Sequence, residues 1–334
     1  AEKFRAEGKK VYTIPGGERL AQRLTAACAA DKVFFTNSGA EALEGAFKTA
    51  RKYQSATGNP QRYRIISLTG SFHGRTLATI SATNNPKHLE GFGPRVDGFD
   101  QVPMGNMNVL RDAITPETAG IVIEPVQGEG GITAASKDFM QDLRAVCDEF
   151  GLMLIADEVQ CGMGRTGKLF GYMHSGIEPD IIASAKGIGG GFPFGAFMAT
   201  EKAAVGMVPG THGSTYGGNP LAMAVGNAVL DALEEPGFMD QVAQTSAVLE
   251  TALQDLRTKH PALVTELRGL GLIRGLKLAD TFPASEAVGA LRDKQVLTVP
   301  AGDNVLRVLP PLNTSADEIT LFKDKVDQVL SERA

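Results

Sequence analysis

The chain has 334 residues, 43% hydrophobic and 21% charged, a balance that fits a globular protein with room for one large or two ordinary domains. Basic residues number 33 against 38 acidic ones, and the net charge of −5 argues against nucleic acid or an anionic membrane surface as partner. No apolar run approaches the roughly 20 residues of a membrane span, and AEKFRAEGKK at the start holds no apolar signal segment.

VFFTNS (33–38) reads as a short strand running into a helix over about 39–54, and RIISL (64–68) as a second strand. IVIE (121–124) is a third, with a Gly-rich loop behind it. SKDFMQDLRAVCDEFG (136–151) predicts an amphipathic helix with Phe139, Leu143, Val146 and Phe150 on one face, Ser136 as N-cap and Gly151 as C-cap. Strands follow at 152–156, 181–185 and 195–200. Such alternation predicts an α/β fold with a mostly parallel sheet flanked by helices.

Beyond the Gly-rich THGSTYGGNP (211–220), helices are expected over about 219–234 and 238–259, broken at Glu235-Pro236-Gly237. The remainder carries strands at 272–278 and 304–310 and helices at about 284–293 and 315–331. The expected division is a large domain over 1–235 and a smaller α+β domain over 236–334. The three cysteines (Cys28, Cys147, Cys161) have neither disulfide nor metal spacing, so a reducing cytoplasm is the expected location.

Two of the strand-like runs end in a charge. Asp157 follows LMLIA and Lys186 follows IIASA. Ligands of parallel α/β sheets bind just beyond the carboxyl ends of the strands, and burying an unpaired charge there is expensive. Asp157 alone fits a turn cap, a metal ligand, the acid of a nucleotide site or the partner of a pyridinium. Lys186, leading into GIGGGFPFG, adds an amine whose small neighbours admit a planar ring; its plain alternative is an exposed loop lysine. Pyridoxal phosphate (PLP) catalysis uses the two together: the lysine holds the cofactor as a Schiff base and the acid keeps the ring nitrogen protonated.

NSGAEA (37–42) offers a phosphate cradle. Ser38 with Glu41 has capping-box spacing, and the free N–H groups of Gly39 and Ala40 at a helix start bind anions. A plain N-cap is the alternative. THGSTYGGNP supplies a second hydroxyl cluster, with Thr215 the best phosphate donor. Gly162–Lys168 matches the GxxxxGK of a P-loop, but Leu169 stands where a Ser or Thr must hold Mg²⁺ and no convincing helix follows. Gly187–Gly191 and Gly269–Gly271 lack dinucleotide-loop spacing. Cys161 has no evident His–acid relay, and the histidines at 73, 88, 174, 212 and 260 have no ligand spacing, so no metal site is expected.

FFTNSGAEA, SFHGRT, IVIEPVQGEGG, LIADEVQCGMGRTG, SAKGIGGGFPFGA, GTHGSTYGGNPLA and NVLRVLPPLN, in this order, resemble the class-III PLP-dependent aminotransferases of fold type I, most nearly the branch acting on acetylornithine. The resemblance runs from about Thr13 to the C-terminus. It implies transamination of N2-acetylornithine with 2-oxoglutarate, giving N-acetylglutamate semialdehyde and glutamate for arginine biosynthesis. Succinylornithine, N-succinyl-diaminopimelate, ornithine and 4-aminobutyrate are the alternative donors, and an inactive PLP-binding homologue is the alternative of another class.

It also implies roles. Lys186 resembles the Schiff-base lysine and proton shuttle, and Asp157 the pyridinium partner. Val159 and Phe72 are expected on opposite ring faces, with Gln160 on the phenolic oxygen. Ser38, Gly39 and Ala40 are expected to bind the phosphate, and Thr215 to reach in from the second subunit of a homodimer with shared sites. Arg75 resembles the substrate-carboxylate clamp, where a planar guanidinium suits bidentate binding. Glu129 and Arg307 resemble a switch that masks the arginine for the first substrate and frees it for the second carboxylate of 2-oxoglutarate. Phe4–Lys10 does not resemble the aromatic–polar stretch that precedes this segment in the family, which lines the substrate side of the site.

Overall fold

The computed structural model describes residues 14–333; the expectation placed on Phe4–Lys10 lies outside the described residues. Helix α1 (Pro15–Ala26) leads to strand β1 (Lys32–Thr36) and helix α2 (Gly39–Ala56). Five more strands, β2 (Arg64–Leu68), β3 (Phe99–Val102), β4 (Thr118–Ile123), β7 (Met153–Asp157) and β8 (Ile181–Ala185), join β9 (Gly195–Ala199) in a seven-stranded sheet of order β1-β9-β8-β7-β4-β2-β3. The short strands β5 (Val126–Gln127) and β6 (Thr133–Ala134) pair apart from it, and the short helices α3 (Leu77–Thr83), α4 (Pro86–Leu89) and α5 (Met107–Asp112) lie between β2 and β4. The pairs among β3, β2, β4, β7 and β8 are parallel, whereas β9 runs antiparallel to both of its neighbours.

Strands buried on both faces read as unbroken apolar runs, because each face packs on its own layer. Ile66, Ile121, Leu154 and Ile182 join one core, while Ile65, Val122, Met153 and Ile155 join the other. The period-2 alternation sends neighbours to opposite sides. Helix α6 (Lys137–Phe150) keeps its expected caps: Ser136 Oγ accepts from Phe139 N at 3.1 Å, and Gly151 takes φ +66°. Its Phe139, Leu143 and Val146 are buried, and Phe150 is half-buried.

Helices α7 (Pro220–Leu233) and α8 (Phe238–Lys259) are broken at 234–237, where Gly237 takes φ +87°. A four-stranded antiparallel sheet follows, of order β10-β11-β13-β12, from β10 (Val264–Leu270), β11 (Ile273–Leu278), β12 (Val299–Ala301) and β13 (Val305–Val308). With α8, helix α9 (Ala284–Asp293) and helix α10 (Ala316–Arg333), this sheet encloses a separate core from Val242 to Leu330. The P-loop-like segment links the two sheets. Arg165 donates from Nη1 to Leu272 O and Pro310 O, and its own carbonyl accepts from Leu272 N at 2.9 Å. Among the described residues no helix is long and apolar enough to cross a membrane.

Candidate active site

At the carboxyl edge of the large sheet the strands leave a cavity of about 350 Å³. Asp157 ends β7 opposite Ala183 of β8, and Lys186 follows two residues beyond Ser184, so the two charges project from adjacent strands. They differ in setting. Asp157 is 2% exposed, while Lys186 is exposed, has φ +48°, and its ammonium makes no hydrogen bond among the described residues. Lys186 therefore stands free for a ligand, on a left-handed backbone that non-glycine residues adopt uncommonly.

Asp157 is held from two sides: Oδ1 accepts from Val159 N at 3.0 Å and Oδ2 from His73 Nδ1 at 2.7 Å. A carboxylate only accepts, so Nδ1 is the donor of this bond; the buried Nε2 has no hydrogen-bond partner. His73 itself is anchored by its N–H to Thr83 Oγ1 at 3.0 Å.

On the phosphate-cradle side, Ser38 caps α2 by accepting from Glu41 N at 3.2 Å. Glu41 reaches back one residue further than a capping box does, accepting from Asn37 N at 2.8 Å and from Asn37 Nδ2 at 2.9 Å. The N–H groups of Gly39 and Ala40 thus remain at an open helix start. A Cβ at Gly39 would lie 2.8 Å from Val159 Cγ1, so the glycine lets the helix end approach the cavity wall.

The substrate-side residues divide. Glu129 lines the cavity and its Oε1 accepts from Arg307 Nη1 of β13, which is 9% exposed. The loop that carries Glu129 is tied to the small sheet by Gly302 N donating to Glu129 O at 2.8 Å and by Arg268 Nη1 donating to Gly131 O at 3.2 Å. Arg75 does not line the cavity; its guanidinium stands 5.5 Å from the centroid of Phe72, whose ring does. Thr215 is exposed and outside the cavity wall.

Ser38, Gly39, Ala40, Phe72, Glu129, Asp157, Val159, Gln160 and Lys186 therefore share one cavity, while Arg75, Arg307 and Thr215 lie around it. Sequence reasoning missed His73, Glu124 and Phe192–Phe194. Glu124 carried the signal that marked Asp157, an acid directly after an apolar strand. Phe192–Phe194 arrive at this edge because β9 is antiparallel and enters the sheet from it. Two buried thiols stay outside the chemistry. Burial pushes the Cys161 thiol well up, and its Sγ donates to Val126 O at 3.1 Å; Cys147 is raised for the same reason. Among the described residues no group of three or more His, Cys, Asp or Glu could hold a metal.

A sequence profile of the class-III aminotransferases matches residues 7–330. The chain belongs to the class-III aminotransferases. This class-III aminotransferase is 58% identical over 308 residues to the acetylornithine aminotransferase of Agrobacterium fabrum, covering 92% of this chain and 77% of that one. Its fold matches the crystal structure of N-acetylornithine aminotransferase from Stenotrophomonas maltophilia with a TM-score of 0.82 at 32% identity, over 96% and 80% of the two chains. A PLP-bound amine transaminase from an uncultivated Pseudomonas species matches with a TM-score of 0.90 at 31% identity, over 97% and 82%. The family match begins at residue 7, slightly ahead of Thr13 where the motif resemblance starts.

The residues present fit the PLP of this enzyme class. The cavity lies in the range of small-ligand sites. An open helix start faces it for a phosphate, and the Asp157 side chain with its own hydrogen-bond support faces it for a cationic ring nitrogen. Gln160 Oε1 is buried at its wall without a protein partner, as expected of a group that completes its bonding on a ligand.

Proposed function

We propose that this aminotransferase moves the terminal amino group of N2-acetylornithine to 2-oxoglutarate, giving N-acetylglutamate semialdehyde and glutamate, a step of arginine biosynthesis. The observation that carries the reading is the pairing of Asp157 and Lys186 on adjacent strand ends around one cavity, in a chain 58% identical to an acetylornithine aminotransferase. PLP when bound supplies an electron sink for the bond broken at the amine-bearing carbon.

The chain's residues supply the rest. Lys186 Nζ anchors the cofactor and carries the proton removed from the donor's amine-bearing carbon. Asp157, held in place by two N–H donors, stabilises a protonated ring nitrogen through fixed electrostatics. Val159 and Phe72 clasp the ring between them, and Gln160 binds its phenolic oxygen. Ser38, Gly39 and Ala40 hold the phosphate at the start of α2, where the helix dipole favours an anion. Arg75 binds a substrate carboxylate. Arg307 binds the second carboxylate of 2-oxoglutarate once Glu129 releases it, and the ion pair between them supports this reading.

The working form in this proposal is a cytoplasmic homodimer in which Thr215 completes the partner's phosphate site; its exposure in the single chain is in keeping with that. The division proposed is a cofactor domain to residue 235 and a small domain from 236, with Arg307 brought to the site by the small sheet. Purified protein is expected to show a visible PLP band that Lys186→Ala abolishes, and N2-acetylornithine is expected to change that band faster than ornithine or 4-aminobutyrate. A colourless protein that binds ATP would overturn the reading. A band that no amine donor alters would leave a PLP-binding protein without this activity.

A further inference from the structure

The cavity holds a second buried carboxyl. Glu124 is the first residue after β4, 5% exposed, and lines the same wall as Asp157 and Lys186. Its Oε2 accepts from Phe72 N at 2.9 Å, while its other oxygen has no partner among the described residues. Asp157 has two donors, one of them an imidazole N–H; Glu124 has one main-chain N–H.

Two carboxyl groups in one low-dielectric site do not both ionise cheaply, and the proton goes to the one with fewer donors. We propose that Glu124 carries a proton in the folded enzyme at neutral pH and acts as a hydrogen-bond donor on the cavity wall, leaving Asp157 the ionised member of the pair. The charged groups facing Glu124 are Asp157 and Glu129, which disfavour its ionisation, and Lys186, which favours it; the buried Cys161 thiol also lies near it, pushed well up by burial. Burial outweighs the lysine and raises the Glu124 carboxyl well above its ordinary range, with Asp157 adding to the rise.

The arrangement explains how a site built to hold a cation-stabilising carboxylate avoids a second competing negative charge beside it. It also makes Glu124 a positioning residue, because the oxygen that accepts from Phe72 N holds the main chain of the residue whose ring forms one cavity wall. The inference rests on the PLP reading only for the identity of the ligand that Glu124 faces.

The test uses the full chain loaded with PLP at pH 7.5. Infrared difference spectra of wild type minus Glu124→Gln are expected to contain the C=O band of a protonated buried carboxyl, apart from any contribution of Glu158. The same difference band is expected in an Asp157→Asn background, because burial is the larger cause of the protonation. Glu124→Gln keeps a donor and an acceptor of the same shape, so its PLP affinity is expected within about threefold of wild type; Asp157→Asn loses about tenfold or more, the effect of one hydrogen bond to a charged group. Absence of the band, or a Glu124→Gln loss equal to that of Asp157→Asn, overturns the proposal. If the band depends on Glu124 but the protein takes up no PLP, the cofactor reading fails and the protonation stands.

Discussion

The imidazole of His73 donates from Nδ1 to Oδ2 of Asp157 across 2.7 Å, with the two side chains 0% and 3% exposed. This bond joins the loop after β2 to the end of β7 and holds the carboxylate in a fixed direction toward the cavity. His73→Phe keeps a ring in the space but removes the donor. A hydrogen bond to a charged group contributes about 1.5–3 kcal/mol, so PLP binding is expected to weaken by about ten- to a hundredfold, read by titrating the visible band. His73→Asn, whose amide can donate from nearly the same place, is expected to recover part of that. Equal affinity in His73→Phe and wild type would remove the bond from the account.

The pair of Glu129 and Arg307 makes a second prediction. Glu129 is 41% exposed at its side chain and Arg307 only 10%, so the glutamate is the partner free to leave. In Glu129→Ala the arginine beside the cavity is left without its carboxylate partner whichever substrate is bound. A donor with one free carboxylate then leaves a desolvated cation without a partner, whereas glutamate still supplies one. The expected outcome is a loss in kcat/KM for N2-acetylornithine about tenfold larger than that for glutamate, a differential of about 1.4 kcal/mol. Parallel losses for the two amines would sink the switch.

Much of this architecture was legible because β2, β7 and β8 are buried on both faces and read as unbroken apolar runs. Strand β3 was not, since Asp100 and Gln101 interrupt it; Asp100 is there to meet Arg64, whose Nη2 lies 2.7 Å from its Oδ1. Strand β10 was missed for a related reason: Glu266 and Arg268 belong to an open face, and the latter reaches both Asp303 and the Gly131 carbonyl. In the site, strand-end position marked Asp157 and Lys186, and would have marked Glu124 had the acid been separated from the strand before it. No local pattern marks His73, which lies 84 positions from Asp157 and meets it only because β2 and β7 flank β4 in one parallel sheet.

Glu158 yields a pH prediction. Its carboxylate is fully buried and accepts from Gly171 N and Tyr172 N, each at 2.8 Å, yet burial pushes its pKa up to about 7. A carboxyl whose folded value lies above its unfolded value of about 4.3 favours folding most when protonated. That contribution is full below the unfolded value and is lost as pH rises through about 7. Thermal unfolding midpoints followed from pH 4 to pH 8 are expected to carry this falling component, and Glu158→Gln to lack it. The substitution also costs about 1–3 kcal/mol at every pH, because an amide N–H turned toward one of the two N–H donors leaves a buried donor unpaired. A wild-type and mutant difference that stays constant across the range would refute the assignment.

Gly39 tests the geometry of the phosphate cradle. Its position at the start of α2 demands no glycine for backbone reasons, since its φ is ordinary; the demand is spatial, with Val159 Cγ1 2.8 Å and Cγ2 3.2 Å from where a Cβ would stand. Gly39→Ala must push either the helix start or Val159 aside, and those are the phosphate cradle and one wall of the ring slot in the proposed site. The expected result is about tenfold weaker binding of PLP, equivalent to about 1.4 kcal/mol, with the folding stability little changed. Val159→Ala opens the space, so in that background the same Gly39→Ala should cost markedly less, a coupling of the kind that residues in contact show and distant ones do not. If Gly39→Ala weakens binding equally in both backgrounds, the contact with Val159 is not what requires a glycine at the start of this helix.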